Sequence, residues 1–392
     1  MAHVIKTDGE AIAIARELAA TFAEGAVRRD AERVLPVAEL EALSDSGLLG
    51  ITVPAEHGGP GVRTATLGAV IRELSAADAS IGQIPQNHFW YLDSLREHGS
   101  PEQQAFFYAE ALAGRRFGNA AVDARGPNGE RERATLRPHK DGYLISGRKI
   151  YSTGALFAHW IPVTALDEDS HRVAFVPSDA PGVTVVDDWD GFGQRTTASG
   201  TVLLDDVFVP AEHVMRVKRA EVSTFRTFGL LIHAAIDTGI AEGALADAAA
   251  FLRGYRRGGW PGAQPEKVVE DPVVIQLFGE LAVLTRAARA LLESAGDAVD
   301  RARSAPPEDF PELAAEAAVA MAAARAQADR AANRVSAEWF ELAGASAVRE
   351  PLGLSRHWRN ARTHTVHDPR RAKVHDVGNY HLNGIAPRSY PR

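Results

Sequence analysis

Trp358-Arg359-Asn360-Ala361-Arg362-Thr363-His364-Thr365-Val366-His367-Asp368-Pro369 closes a long run of helical sequence near the C-terminus. The stretch sets two arginines, two histidines and a carboxylate within roughly three helical turns and stops on a proline. His364 and His367 are three apart, so on a helix they share one face. Histidine is the side chain best suited to moving a proton near neutral pH. The same residues also suit a solvated helix end, where cations meet the negative pole of the dipole. The rest of the chain decides between these readings.

Helical sequence surrounds a β-rich centre. Residues 1–115 read as helices, at about Asp8–Arg29, Val37–Ser46, Thr64–Ala77, Ser80–His98 and Pro101–Ala113, with Asp8 as an N-cap and Pro101 in a first turn. A Gly- and Pro-rich loop, Gly50 to Gly61, interrupts them. Residues 116–212 change to short β-rich runs, among them Tyr143–Ile145, Trp160–Ala165, Val173–Val176 and Val202–Val209, split by turns such as Asp141-Gly142. They predict a small antiparallel barrel or sandwich. Residues 213–392 return to long helices, Phe225–Arg256, Pro272–Ala302 and Pro311–Leu342, which need a partner helix to complete a four-helix bundle. The fold class is α+β in several layers: a helical domain, a central antiparallel β-domain and a C-terminal bundle.

Composition narrows the function. The chain has 392 residues, 24% charged and 45% hydrophobic, with a net charge of −8. Without a run of one sign, that balance argues against nucleic acid as the partner. The absence of cysteine removes disulfides, thiolate catalysis and zinc–thiolate sites. The first residues lack a signal-peptide pattern and no stretch reaches about 18 uninterrupted apolar residues, so a cytoplasmic protein without a spanning helix is expected. His364-x-x-His367 as a metal pair has no further ligand at a metal-site spacing, so no metal is expected.

Several motifs, in order along nearly the whole chain, resemble the acyl-CoA dehydrogenase superfamily. They are Leu48-Leu49-Gly50-Ile51-Thr52-Val53-Pro54 with Glu56-His57-Gly58-Gly59, then Gly147 to Ala155, Phe208-Val209-Pro210 and Arg359-Asn360-Ala361-Arg362. Two departures stand out. Where the dehydrogenases carry Tyr-Glu-Gly-Thr, with Glu as the base, this chain reads His367-Asp368-Pro369-Arg370. Their Gly-Gly-x-Gly near the FAD pyrophosphate reads Gly344-Ala345-Ser346-Ala347 here, which favours FMN over FAD because two close-approach glycines are gone. The run Asn360 to Pro369, with Asp187-Asp188-Trp189, Gly118-Asn119-Ala120 and Asp376-Val377-Gly378, is similar to the flavin-dependent monooxygenases of this fold. Among these it resembles the dibenzothiophene monooxygenases and the sulfur-acquisition oxidoreductases.

That resemblance implies reduced FMN, supplied by a separate NAD(P)H-dependent flavin reductase. Reaction with O₂ through a C4a-hydroperoxyflavin would oxygenate a small organosulfur substrate. It implies site roles for His367, Asn119, Thr153 with Ser152 and Tyr151 adjacent, and Trp189, with His88 on the substrate side and His364 beside His367. Arg256 or Arg257 would hold the flavin phosphate. Trp189 is equally readable as a β-domain core aromatic, Asn119 as a turn cap, His88 as a core histidine and the arginines as a surface pair. A homotetramer is also implied. The alternatives are an amine N-oxygenase, an acyl-CoA dehydrogenase with Asp368 as base, and a non-catalytic flavin-binding protein.

Overall fold

The computed structural model describes residues 2–388 except 127, 168–169, 219 and 257–266. The first layer holds α1 (Asp8–Glu32), α2 (Val37–Asp45), α3 (Thr64–Ala77), α4 (Ala79–Gln83), α5 (Gln86–His98) and α6 (Pro101–Leu112). Thr7, rather than Asp8, caps α1: its hydroxyl accepts from the Glu10 N–H, while Asp8 accepts from the Arg63 N–H and so ties α1 to the start of α3. Ser100 and Gln103 form a capping box at α6. The expected single helix over Ser80–His98 is two, because Pro85 supplies no N–H and stands where α5 begins.

The β-domain comprises β1 (Val122–Asp123), β2 (Thr135–His139), β3 (Gly142–Ile150), β4 (Trp160–Asp167), β5 (Ser170–Pro177), β6 (Val183–Val186), β7 (Thr201–Pro210) and β8 (Val214–Arg216). The strand order is β6-β7-β3-β2-β4-β5-β8, with β1 also on β3. The ladders are antiparallel except β2 with β4, where Thr135 pairs with Leu166 in parallel, so the sheet is mixed where a wholly antiparallel one was expected. Ile145, Ile161, Val163, Val176, Val202 and Val207 form its dry core.

The last layer holds α7 (Phe225–Gly254), α8 (Pro272–Arg303), α9 (Phe310–Glu338), α10 (Arg356–Thr365) and α11 (Arg370–Asn383). α7, α8 and α9 pack on one another, and α11 lies along α9 as the fourth helix. α3 packs on α7, which joins the first and last layers into one core. α7 is long and apolar enough to cross a membrane, but 83% of its most apolar window is buried, as befits a helix hydrophobic all round at the centre of a fold. The quoted stretch departs from expectation at its end. α10 stops at Thr365, so His367 and Asp368 stand in the turn before α11. That turn still keeps the histidines close, because the His367 N–H donates to the His364 carbonyl at 3.2 Å.

Candidate active site

α7 reads Arg226, Gly229-Leu230, His233 and Asp237 at intervals of three or four, so these residues share one face. Asp237 is fully buried, and such a carboxylate needs partners. Arg325 of α9 donates to one of its oxygens. His364 of α10 donates from Nδ1 to the other at 2.6 Å. His364 Nε2 lies 3.0 Å from His233 Nδ1, and His233 Nε2 lies 3.3 Å from Gln86 Nε2. The polarity of this chain follows from its ends. Gln86 offers its amide N–H, so His233 accepts at Nε2 and carries its proton on Nδ1. His364 then accepts at Nε2 and donates from Nδ1 to the carboxylate. Burial alone would raise the Asp237 carboxyl, but Arg325 and then His364 outweigh it and hold it below its usual range. Burial, followed by the proximity of His367 and His364, keeps His233 neutral, well below its ordinary value.

His367 stacks on His233 with ring centroids 4.6 Å apart and an interplanar angle of 26°. Both line a cavity of about 280 Å³ walled by Trp90, Tyr91, Leu230, Ala121 and Val122, with Arg226, Asn119 and Asp368 among its polar groups. Desolvation against its neighbours, then His364 and Arg325, push the His367 imidazole down to about 4. The outer edge of the residue is exposed. Solvent reaching the exposed residue moderates that depression. Asp368 is not free, since its Oδ2 sits 2.7 Å from the ammonium of buried Lys373.

The β-domain supplies the adjoining wall. The Asn119 Nδ2 donates to the Tyr151 carbonyl at 3.3 Å, and its Oδ1 accepts from the Tyr91 hydroxyl. That bond holds Tyr151 at φ 54°, a left-handed conformation costly for a bulky residue. The Tyr151 ring is exposed and meets Trp189 edge to face at 6.4 Å. The Thr153 hydroxyl bonds Ser199 at 2.7 Å, and Ser199 bonds Thr197. Ser152 is sealed from solvent and its hydroxyl has no partner among the described residues. The Trp189 Nε1 donates to the Gln194 carbonyl, and the Gln194 N–H donates to Asn360 Oδ1, which clamps this loop onto α10. Gly193 permits the approach, because a Cβ there would strike the Arg359 carbonyl.

The structure thus gathers His367 and Asn119 at the cavity, His364 behind them, and Tyr151, Thr153 and Trp189 on the adjoining face. His88 is a correction: its Nε2 donates to the Leu49 carbonyl at 2.8 Å and its Nδ1 accepts from the Phe117 N–H. With both nitrogens committed to backbone and the ring held between Phe89 and Phe117, it is a core histidine. Arg256 pairs in a β-bridge with Lys267, roughly six turns and 30 Å beyond His233, so within one chain it does not reach the cavity. Arg257 lies outside the described residues. His233, Asp237, Arg325, Gln86 and Tyr91 were missed by sequence reasoning. One signal was present: His233 and Asp237 are i,i+4 polar residues inside the otherwise apolar Leu230-Leu231-Ile232-His233-Ala234-Ala235-Ile236-Asp237.

A helical layer, a β-domain and a helical bundle meet at an apolar-walled cavity that holds a few polar groups, and comparison with known proteins places this architecture. Residues 10–115, 122–207 and 231–369 match the N-terminal, middle and C-terminal domains of acyl-CoA dehydrogenase. The chain belongs to the acyl-CoA dehydrogenase family. Its relatives include a probable FMNH2-dependent monooxygenase of Pseudomonas putida, 33% identical with 96% of each chain covered. Among solved structures, methanesulfinate monooxygenase of Pseudomonas fluorescens superposes with a TM-score of 0.88 at 33% identity, covering 97% of this chain and 98% of that one. The FMN-bound enzyme TdsC of Paenibacillus sp. A11-2, a dibenzothiophene monooxygenase, gives 0.87 at 32%, covering 97% and 99%.

Proposed function

We propose that the chain is an FMNH2-dependent monooxygenase acting on an organosulfur compound. The observation that carries this reading is that the imidazole of His367 lines the cavity directly beside Asp368, the position where the family resemblance puts a dehydrogenase's carboxylate. The neighbouring Asp368 is occupied by Lys373, which weighs against its acting as the base of a dehydrogenase.

The residues present fit FMN. Exposed Tyr151 and half-buried Trp189 form an aromatic corner, with Asn119 and the Thr153 hydroxyl beside it. Of the two adjacent hydroxyls, Thr153 is the less deeply buried, and its bond to Ser199 would orient it toward a flavin. Bound reduced FMN would supply the reaction with molecular oxygen. One oxygen atom goes to the substrate sulfur and the other leaves as water, with two electrons from reduced FMN and two from sulfur. The neutral His367 ring offers an N–H to the oxygen being transferred and an acceptor nitrogen on its other side, so it can hold a proton there without drawing it away. The Asp237–His364–His233 chain fixes the tautomer and plane of His233, on which the His367 ring stacks. Trp90, Tyr91 and Leu230 exclude water from the reacting atoms.

On this reading a separate NAD(P)H-dependent reductase supplies FMNH2 and the enzyme works in the cytoplasm. The resemblance implies a homotetramer, and α8 leaves apolar side chains exposed that association could cover, Val273, Ile275 and Val283 among them. The test is His367→Ala, with FMN affinity followed by fluorescence and product by mass spectrometry under ¹⁸O₂. FMN binding should persist and sulfur oxygenation should fall about 10²- to 10⁴-fold. Undiminished oxygenation would remove His367 from the mechanism.

A further inference from the structure

The cavity carries one uncompensated charge. Arg226 stands in the first turn of α7 and lines the cavity beside Trp90 and Gly229. Its polar contact is the Arg388 carbonyl, which Nη1 reaches at 3.1 Å; among the described residues no carboxylate pairs with it. A guanidinium has five N–H donors in a fixed fork, and one backbone oxygen leaves most of them unused. The other charges at the cavity cancel, because Asp368 is paired with Lys373. His233 and His367 are held neutral by burial and by their neighbours. The positive pole of α7 lies at the same end as Arg226. The walls between Arg226 and the histidines are largely apolar and aromatic, and the carboxylate among the described lining residues, Asp368, is already paired with Lys373.

Geometry separates the two ends. Arg226 precedes His233 by seven residues on the same helix face, about 10 Å along the axis. Helical side chains lean toward the N-terminus, which carries the guanidinium further from the imidazoles. A molecule held by its charge at Arg226 therefore presents a different atom at His367.

We propose that the cavity selects a small organic anion, with its acidic group held by Arg226 and its oxidisable sulfur presented at His367. This rests on the monooxygenase reading for the fate of the sulfur, but not for the binding of the anion. The matched probes are 4-(methylthio)benzoate and its neutral, nearly isosteric counterpart 4-nitrothioanisole, titrated calorimetrically into the full-length protein without flavin. The carboxylate should bind at least about tenfold more tightly, the worth of one charge-assisted hydrogen-bonded pair. Arg226→Gln should close that gap by weakening the carboxylate alone, and Arg226→Lys should keep part of it, because the charge remains while the bidentate fork is lost. Equal affinity for the two probes in the unaltered protein, or a gap that survives Arg226→Gln, overturns the proposal. Product analysis with FMN and a reductase separates the two claims. Carboxylate binding through Arg226 with no sulfur compound oxygenated would sink the monooxygenase reading and leave the anion site standing. Oxygenation of neutral sulfides without a carboxylate preference would do the reverse.

Discussion

Replacing Asp237 by Asn keeps the shape of the side chain and removes its charge. Asp237 is fully buried and Arg325 is 1% exposed, with Nε and Nη2 of that arginine unpartnered among the described residues. The Asp237 carboxylate is the direct ion-pair partner of this guanidinium, and it orients His364 with its second oxygen. Breaking a buried pair from one side leaves a desolvated charge and costs about 3–5 kcal/mol. The amide also has to turn either its oxygen or its NH₂ toward His364. The NH₂ orientation would reverse the proton order along His364 and His233. Urea unfolding at pH 7 should show the loss, and Asp237→Asn combined with Arg325→Met should recover more than half of it, because the stranded cation is gone. The pH dependence supplies a second check. Asp237 titrates below the usual carboxylate value of about 3.9 when folded, so its stabilisation is fully present above that pH and is lost as pH falls through the folded value. Wild type and variant should therefore differ by a constant amount from pH 6 to 8 and converge under strong acid. A loss below about 1 kcal/mol at pH 7, or a double variant no more stable than the single one, would refute the reasoning.

Other outcomes follow from the same geometry. Because His367 is depressed toward about 4, oxygenation should lose activity only as pH falls well below 6; an inflection between 6 and 7 that disappears in a His367 variant would contradict this. Lys373→Met strands the half-buried Asp368 carboxylate and should cost about 1–3 kcal/mol, read as a lower unfolding midpoint; unchanged stability would show the pair to be idle. Gly229→Ala pushes a methyl into the Trp90 ring, so stability should fall by about 1–3 kcal/mol and Trp90 fluorescence should shift, whereas an unaltered spectrum would mean that the wall had not moved.

The layers were legible because they rest on periodicity. Thr64–Ala77 matches the observed helix, and the three long helices differ from expectation at their ends. Pro85 was visible but underweighted, and α11 was missed because its polar sequence shows little amphipathic pattern. The site was legible only in part. His367 and Asn119 could be found through short motifs, whereas Arg325 lies in an Ala-rich helix where nothing local distinguishes a buried arginine from a surface one. His88 misled for the opposite reason: a histidine near aromatic residues looks alike in sequence whether its nitrogens face a ligand or two backbone groups. Long-range pairing decides such cases, as with Asp237 and Arg325, which are far apart in the chain and touch only in the folded bundle.

The spacing of Arg226, Gly229, His233 and Asp237 along α7 also bears on how such an enzyme can diversify. The first two turns line one end of the cavity, and the following turns, from His233 to the buried Asp237, carry the hydrogen-bonded chain. Substitutions at residues 226–230 can therefore accumulate while the buried hydrogen-bonded chain about one turn further on stays intact. One rigid rod thus separates inheritance of the chemistry from experiment with its targets.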